Sequence, residues 1–353
     1  MLPESDVRLL PLLATLETLG FIARHFDPME FDALMEVVGR PDDTLRAACM
    51  NIKDGAAIPD TAPAHIKEAC DTALAAFDGL RTARNQSGDL RGVFKALRNY
   101  PRSQEALYPL AATNTAINRF FLDPAVRGDA DVVARCAQPA RDGETGVIHE
   151  QNEPGTRGGF SVYVPEYYSA DRSWPLVVAL HGGSGNGRGF LWSWLREARS
   201  FGAIVIAPTA TGATWALMGE DADTPNLRRI LTSVRERWTI DPSRMLMTGM
   251  SDGGTFCYVS GLESDSPFTH LAPVSATFHP LMAAMADADR LRGLPIHIVH
   301  GALDWMFPGE VARQTQRTLA AAGANMTYRE IDDLSHCYPR EVNAPLLAWM
   351  AAT

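Results

Sequence analysis

Cysteine is scarce and unpatterned in this chain. Its 353 residues hold five, Cys49, Cys70, Cys136, Cys257 and Cys337, with no Cys-x-x-Cys pair. An odd, scattered set excludes a disulfide framework and a cysteine-rich metal knuckle, and it fits a reducing compartment. Basic charge is also short: 32 Lys and Arg against 42 Asp and Glu leave a net charge of −10. Where arginines gather, at Arg228-Arg229 and Arg235, they share helical segments with acidic residues, the pattern of a solvated face. A phosphate-binding surface needs concentrated Lys and Arg, so no nucleic-acid partner is expected. No apolar run approaches the roughly 20 residues of a membrane span. The start, Met1-Leu2-Pro3-Glu4-Ser5-Asp6, is acidic where a secretory leader is basic, and no short apolar stretch follows. A cytoplasmic location is the expectation. A fixed-period repeat is missing too, which sets a solenoid aside.

What is present suits a globular chain. The hydrophobic share of 46% and charged share of 21% are ordinary, and the length accommodates two domains. The first 140 residues read as helical. Leu9, Leu12, Leu13, Leu16 and Leu19 recur at helix spacing, as do Ile66, Ala69, Cys70, Ala73, Leu74 and Phe77. A third stripe runs from Leu107, Leu110, Ala111 and Ile117 to Phe120 and Phe121. Breakers separate them at Asp27-Pro28, Gly39 to Pro41, Pro59 to Pro63 and Gln86-Ser87-Gly88. Each stripe needs a partner to bury it, so residues 1–140 are expected to form a helical domain. Its expected place is against the rest of the chain near the site, or at a homo-oligomer interface.

From residue 141 onward short apolar runs alternate with helical stretches, the signature of a sheet covered by helices. Gly146 to Glu150 and Phe160 to Val164 are expected to pair antiparallel at the sheet edge. Leu176 to Leu180, Ile204 to Ala207, Met245 to Thr248, Leu271 to Val274, Ile296 to Val299 and Met326 to Glu330 read as strands of a mostly parallel sheet. Helices are expected over Gly189 to Arg199, from an N-cap at Thr224 before Pro225 to Trp238, over Gly309 to Ala322, and over Ala344 to Ala351.

The sharpest local signal is Gly249-Met250-Ser251-Asp252-Gly253-Gly254, set between an apolar strand and a segment able to start a helix. That context makes Ser251 a candidate nucleophile presented on a strained turn, with Gly249 and Gly253 allowing close backbone packing. Leu176 to Leu180 leads into His181-Gly182-Gly183-Ser184-Gly185-Asn186-Gly187. This glycine-rich loop lacks the Lys and Ser/Thr of a P-loop. The backbone N–H groups at Gly183 and Asp252 are the candidate oxyanion donors. His181 reads as a loop anchor.

The base and its orienting acid are sought downstream, in the order serine, acid, histidine. Asp304 follows the strand at 296–299 and His336 the strand at 326–330, both at the sheet edge that presents Ser251. His336 is therefore the candidate base and Asp304 its orienting acid. Asp332 and Asp333 are alternatives for the acid but share the histidine's own loop. His279 precedes the acid loop. His297 and His300, three apart on a strand, point to opposite faces and make a poor metal pair. His149 and His270 read as ordinary strand-end residues.

These segments carry a family resemblance. Thr239-Ile240-Asp241-Pro242-Ser243-Arg244, followed by Met245 to Gly254, resembles the elbow of esterases related to polyhydroxybutyrate depolymerases and feruloyl esterases. Leu180-His181-Gly182-Gly183 and His300-Gly301-x-x-Asp304 are similar to the phospholipase/carboxylesterase group, which includes acyl-protein thioesterases. The resemblance spans residues 146 to 352. It implies an α/β-hydrolase fold and a serine esterase working through an acyl-enzyme on a small-molecule ester, with neither cofactor nor metal. The same triad would serve a thioesterase or serine peptidase, and a binding or scaffold protein could keep the fold without turnover. Trp305, Met306, Phe307, Trp192 and Trp194 are candidates for lining an acyl or aromatic pocket. The helical first 140 residues have no counterpart in the minimal thioesterase-like fold.

Overall fold

The computed structural model describes residues 6–50, 61–86 and 89–352. The acidic start at Met1 to Ser5 and the turn signals at Pro59 and Ser87-Gly88 lie outside the described residues. The chain divides into two compact units, Met1–Pro139 and Ala140–Thr353.

The first unit is helical, built on Leu9–His25, Thr61–Asn85 and shorter helices between and after them. Leu12, Leu16, Leu19, Ile66, Cys70 and Phe77 are buried, so two of the apolar stripes face inward. Gly79 allows a close helix crossing, since a Cβ there would lie 2.7 Å from that of Ala96. The stripe through Leu107 to Phe121 is not one helix. It breaks into Asn99–Leu107, a short turn at Tyr108–Leu110 and Thr115–Phe120. Pro109 enters at the break, and Asn114 restarts the helix by accepting hydrogen bonds from the Ala116 and Ile117 amides.

The second unit is one eight-stranded sheet: β1 (Gly146–Glu150), β2 (Phe160–Val164), β3 (Trp174–Leu180), β4 (Ile204–Pro208), β5 (Ile240–Met250), β6 (His270–Val274), β7 (Pro295–Gly301) and β8 (Asn325–Ile331). Their spatial order is β1-β2-β4-β3-β5-β6-β7-β8. β2 runs antiparallel to both neighbours and the other pairs are parallel. Every residue of β2, β4 and β6 is buried, which explains their mostly apolar character, with Ser161 and His270 the polar exceptions. Helices Asp223–Arg237 and Asp252–Gly261 supply Leu227, Ile230, Val234, Phe256 and Tyr258 to the core against it.

Two local expectations are corrected. The segment expected as one helix over 189–199 is Gly187–Phe190, a 3-10 turn at Leu191–Ser193 and Leu195–Phe201. Thr224 is not the N-cap: that helix starts at Asp223, and the Asp221 carboxylate accepts from the Asp223 and Thr224 amides.

Candidate active site

Parallel strands release their chains at one edge of the sheet, and the segments singled out above follow β3, β5, β7 and β8 there. Between β5 and helix Asp252–Gly261 the chain turns at Ser251 with φ 55° and ψ −119°, a conformation costly for any residue but glycine. The turn is held by the Ser251 amide donating to Val274 on β6 at 2.9 Å. Its glycines answer to crowding. A Cβ on Gly249 would lie 2.6 Å from the backbone of Gly253, and one on Gly253 would lie 2.5 Å from the carbonyl oxygens of Leu180 and His181. Strand, turn and helix thus meet backbone to backbone under the serine.

Two loops bring the other members. The Ala302 amide donates to Ile331 and the Leu303 amide to Leu334, which ties the β7 exit to the β8 exit. Gly301 permits the crossing, since a Cβ there would sit 2.2 Å from the Leu334 carbonyl oxygen. The result is a continuous hydrogen-bonded chain. Ser251 Oγ lies 3.0 Å from His336 Nε2, and His336 Nδ1 lies 2.9 Å from Asp304 Oδ2 and 3.0 Å from Oδ1. The His336 and Asp304 side chains are 7% and 0% exposed.

Asp304 is fixed on its far side as well. Oδ1 accepts from the amides of Met306 and Phe307 at 2.9 and 2.8 Å. Burial raises its carboxyl pKa, but the bonds from His336 and the Phe307 amide outweigh that and hold it below the usual carboxylate range. With Asp304 ionised, Nδ1 carries the imidazole proton and Nε2 presents a lone pair to the serine hydroxyl. Asp332 and Asp333 are exposed on the surface of the β8 exit loop.

The glycine-rich loop after β3 lies beside Ser251. A Cβ on Gly182 would be 3.6 Å from the serine Cβ. The amides of Gly183 and Asp252 donate to no described group of the chain. His181 anchors this loop from below: Nε2 accepts from the Ala210 amide at 3.1 Å, so Nδ1 holds the proton and donates to the Gly182 carbonyl at 2.7 Å. Burial, only partly opposed by that bond, pushes its pKa down to about 4 and keeps it neutral. Trp215 donates from its indole to the His181 carbonyl and stacks on Phe256.

The other expected residues separate. Phe307 and Trp305 set their rings edge-on to His336, at 5.2 and 6.0 Å, and Trp305 and Met306 are partly open to solvent. Trp192 and Trp194 are corrected: they are fully buried, in the turn where the expected helix breaks, and present no surface to a substrate. His279 caps a short helix, His149 bonds Ser161, and His270 and His297 pack edge-on to Trp349.

Residues that the sequence reading left without a role at this site are His300, Thr214, Trp215 and Asn343. His300 is buried, its Nε2 donating to the Phe307 carbonyl at 2.8 Å and lying 3.6 Å from Asp304 Oδ2. Asn343 accepts from Tyr338, two residues past His336, and donates to the Ser193 carbonyl. Only the His300-Gly301-x-x-Asp304 spacing carried a trace of this support; Thr214 and Trp215 come from the loop after β4, and Asn343 opens the last helix.

The strand order, the single antiparallel strand within it and the strained serine turn after β5 define an α/β-hydrolase fold. Comparisons agree. A solved ferulic acid esterase superposes with a TM-score of 0.51 at 15% identity, over 59% of this chain and 98% of that one. Among curated proteins, the bifunctional acetylxylan esterase/xylanase XynS20E of Neocallimastix patriciarum is 29% identical over 158 residues. That match covers 44% of this chain and 22% of the relative's length. No family model matches the chain. Among the described residues, no helix is long and apolar enough to cross a membrane.

Proposed function

We propose that the protein is a carboxylic-ester hydrolase that works through an acyl-enzyme. The observation that carries this is the hydrogen-bonded chain from Ser251 Oγ through His336 to Asp304, on a strained turn beside two undonated amides. In this reading His336 Nε2 takes the serine proton as Oγ attacks the ester carbonyl, and Asp304 stabilises the imidazolium that forms. The Gly183 and Asp252 amides receive the developing oxyanion. His336 returns its proton to the departing alcohol, and water, activated by the same imidazole, releases the acid.

Trp305 and Phe307 stand beside His336 and, with Met306 between them in the chain, are the candidate wall for the bound ester. The named activities of the curated relative and the solved neighbour support esters, acetylated carbohydrates among them, as the first substrates to try. Five unbridged cysteines, four of them buried, support a reducing, cytoplasmic setting.

The test is covalent labelling with a fluorophosphonate probe together with hydrolysis of 4-nitrophenyl esters of increasing acyl length. Wild-type protein should label and turn over, and Ser251→Ala should do neither while melting as a folded protein. Turnover by Ser251→Ala near the wild-type rate would overturn the reading.

A further inference from the structure

Asp252 serves the proposed reaction through its backbone amide, and that role makes no demand on its side chain. The carboxylate is nevertheless held in place. Thr214, in the loop between β4 and helix Asp223–Arg237, donates its hydroxyl to Oδ2. The same oxygen lies against the other half of the proposed oxyanion site, because a Cβ built on Gly183 would come 2.8 Å from it. Oδ1 accepts no hydrogen bond from the described residues.

Arg157 donates to the carbonyls of Gly185 and Ala213, at 2.8 and 3.0 Å, and so ties together the two loops that flank the carboxylate. Asp252 and Thr214 are half-buried and Gly183 is exposed, so the carboxylate stands at the mouth of the site, within reach of a ligand.

A fixed negative charge beside an oxyanion site opposes the charge that develops there. The arrangement favours turnover only if the substrate itself compensates. A carboxylate accepts hydrogen bonds and donates none, and its bonds to donors are charge-assisted. Stabilising Asp252–Gly261 as an acidic first-turn residue accounts for a negative charge at this position. It does not account for the Thr214 clamp or the open Oδ1.

Resting on the ester-hydrolase reading above, we propose that Asp252 is a specificity residue: its carboxylate takes a hydrogen-bond donor that the substrate carries close to the ester carbonyl, and it rejects a substrate with a carboxylate there. The donor can be a hydroxyl or an ammonium, and the test separates them.

Four 4-nitrophenyl esters of similar length serve as probes: propionate, 3-hydroxypropionate, β-alaninate and hemisuccinate. Their kcat/KM values are compared in wild type, Asp252→Asn, Asp252→Lys and Thr214→Val, each checked by thermal melting. Wild type should favour one of the donor-bearing esters over propionate by about tenfold or more, the scale of one charge-assisted hydrogen bond, and should handle hemisuccinate worst. Asp252→Asn, nearly isosteric, should keep a hydroxyl preference and lose an ammonium preference, because the amide oxygen still accepts but carries no charge. Asp252→Lys should raise hemisuccinate above β-alaninate. Thr214→Val should shrink the preference without reordering it. Turnover of any of the four esters by wild type reports on the hydrolase reading in the same assay. With that turnover present, one order of esters shared by wild type and Asp252→Lys overturns the Asp252 assignment alone. If wild type turns over none of the four esters, both readings fall.

Discussion

Replacing Asp304 by asparagine should cripple turnover while leaving the fold intact, and the geometry says why. Oδ1 accepts from the Met306 and Phe307 amides, so in the variant the amide oxygen is drawn to that position. The opposite orientation would leave two backbone donors unpaired, at about 1–3 kcal/mol each. The side-chain NH2 then takes the place of Oδ2, 2.9 Å from His336 Nδ1. A donor there requires a lone pair on Nδ1 and moves the imidazole proton to Nε2, which faces Ser251. The histidine then donates to the serine where it should accept. The equivalent change in a well-studied serine protease lowers kcat about 10⁴-fold, or about 5 kcal/mol at 1.36 kcal/mol per decade. The assay is steady-state hydrolysis of a 4-nitrophenyl ester, with the melting temperature and probe-labelling rate measured alongside. Asp332→Asn and Asp333→Asn, on the exposed part of the His336 loop, should each change kcat less than about threefold. If Asp304→Asn kept kcat within about tenfold of wild type while Asp333→Asn abolished it, the acid would be reassigned.

Three further expectations follow from the packing, the titration of His181 and the exposed helical surface. Gly301→Ala puts a Cβ 2.2 Å from the Leu334 carbonyl. It should cost about 1–3 kcal/mol in a denaturant titration and lower kcat more than it raises KM by parting the Asp304 and His336 loops; wild-type stability would show that the crossing tolerates a methyl group. The pKa of His181 is depressed from 6.5 to about 4, mainly by burial. The unfolded chain therefore binds the proton first, so its contribution is intact above about pH 6.5 and is lost as pH falls toward 4, by about 3 kcal/mol in all. His181→Asn should flatten that part of the stability–pH curve, and equal slopes in the two proteins would remove His181 as the cause. Leu10 and Phe21 are 73% and 43% exposed and lie three helical turns apart on one face of Leu9–His25. The full chain is expected to self-associate through this face and Leu10→Glu with Phe21→Glu to dissociate it, and a wild-type monomer by light scattering at about 50 μM would refute that.

Much of the fold and the candidate site was legible in the residues because the signals are local. A strand buried on both faces must be largely apolar, so β3, β4 and the Met245 to Met247 part of β5 stand out as continuous runs. The turn around Ser251 leaves no room for side chains at Gly249 or Gly253, so crowding is written into the chain as glycine. Asp304 and His336 could be nominated because parallel strands deliver their exits to one edge. The broken helices over 99–120 and 187–201 were less legible, since where a helix starts or restarts depends on caps such as Asn186 and Asn114 that resemble any other polar residue.

What the sequence by itself determined was the set of elements and the chemistry each exit loop carries, because periodicity, glycine and turn residues act within a few positions of one another. The tertiary structure decided which of those groups meet. It decided that Nδ1 of His336 faces Asp304 and not Asp333, that Trp192 and Trp194 are buried while Trp305 reaches the site, and that His300 backs the acid loop. It also put Thr214 against Asp252, 38 residues away in the chain. Such contacts depend on strand order and loop docking, which join segments far apart in sequence, and no pattern within either segment records the position of the other.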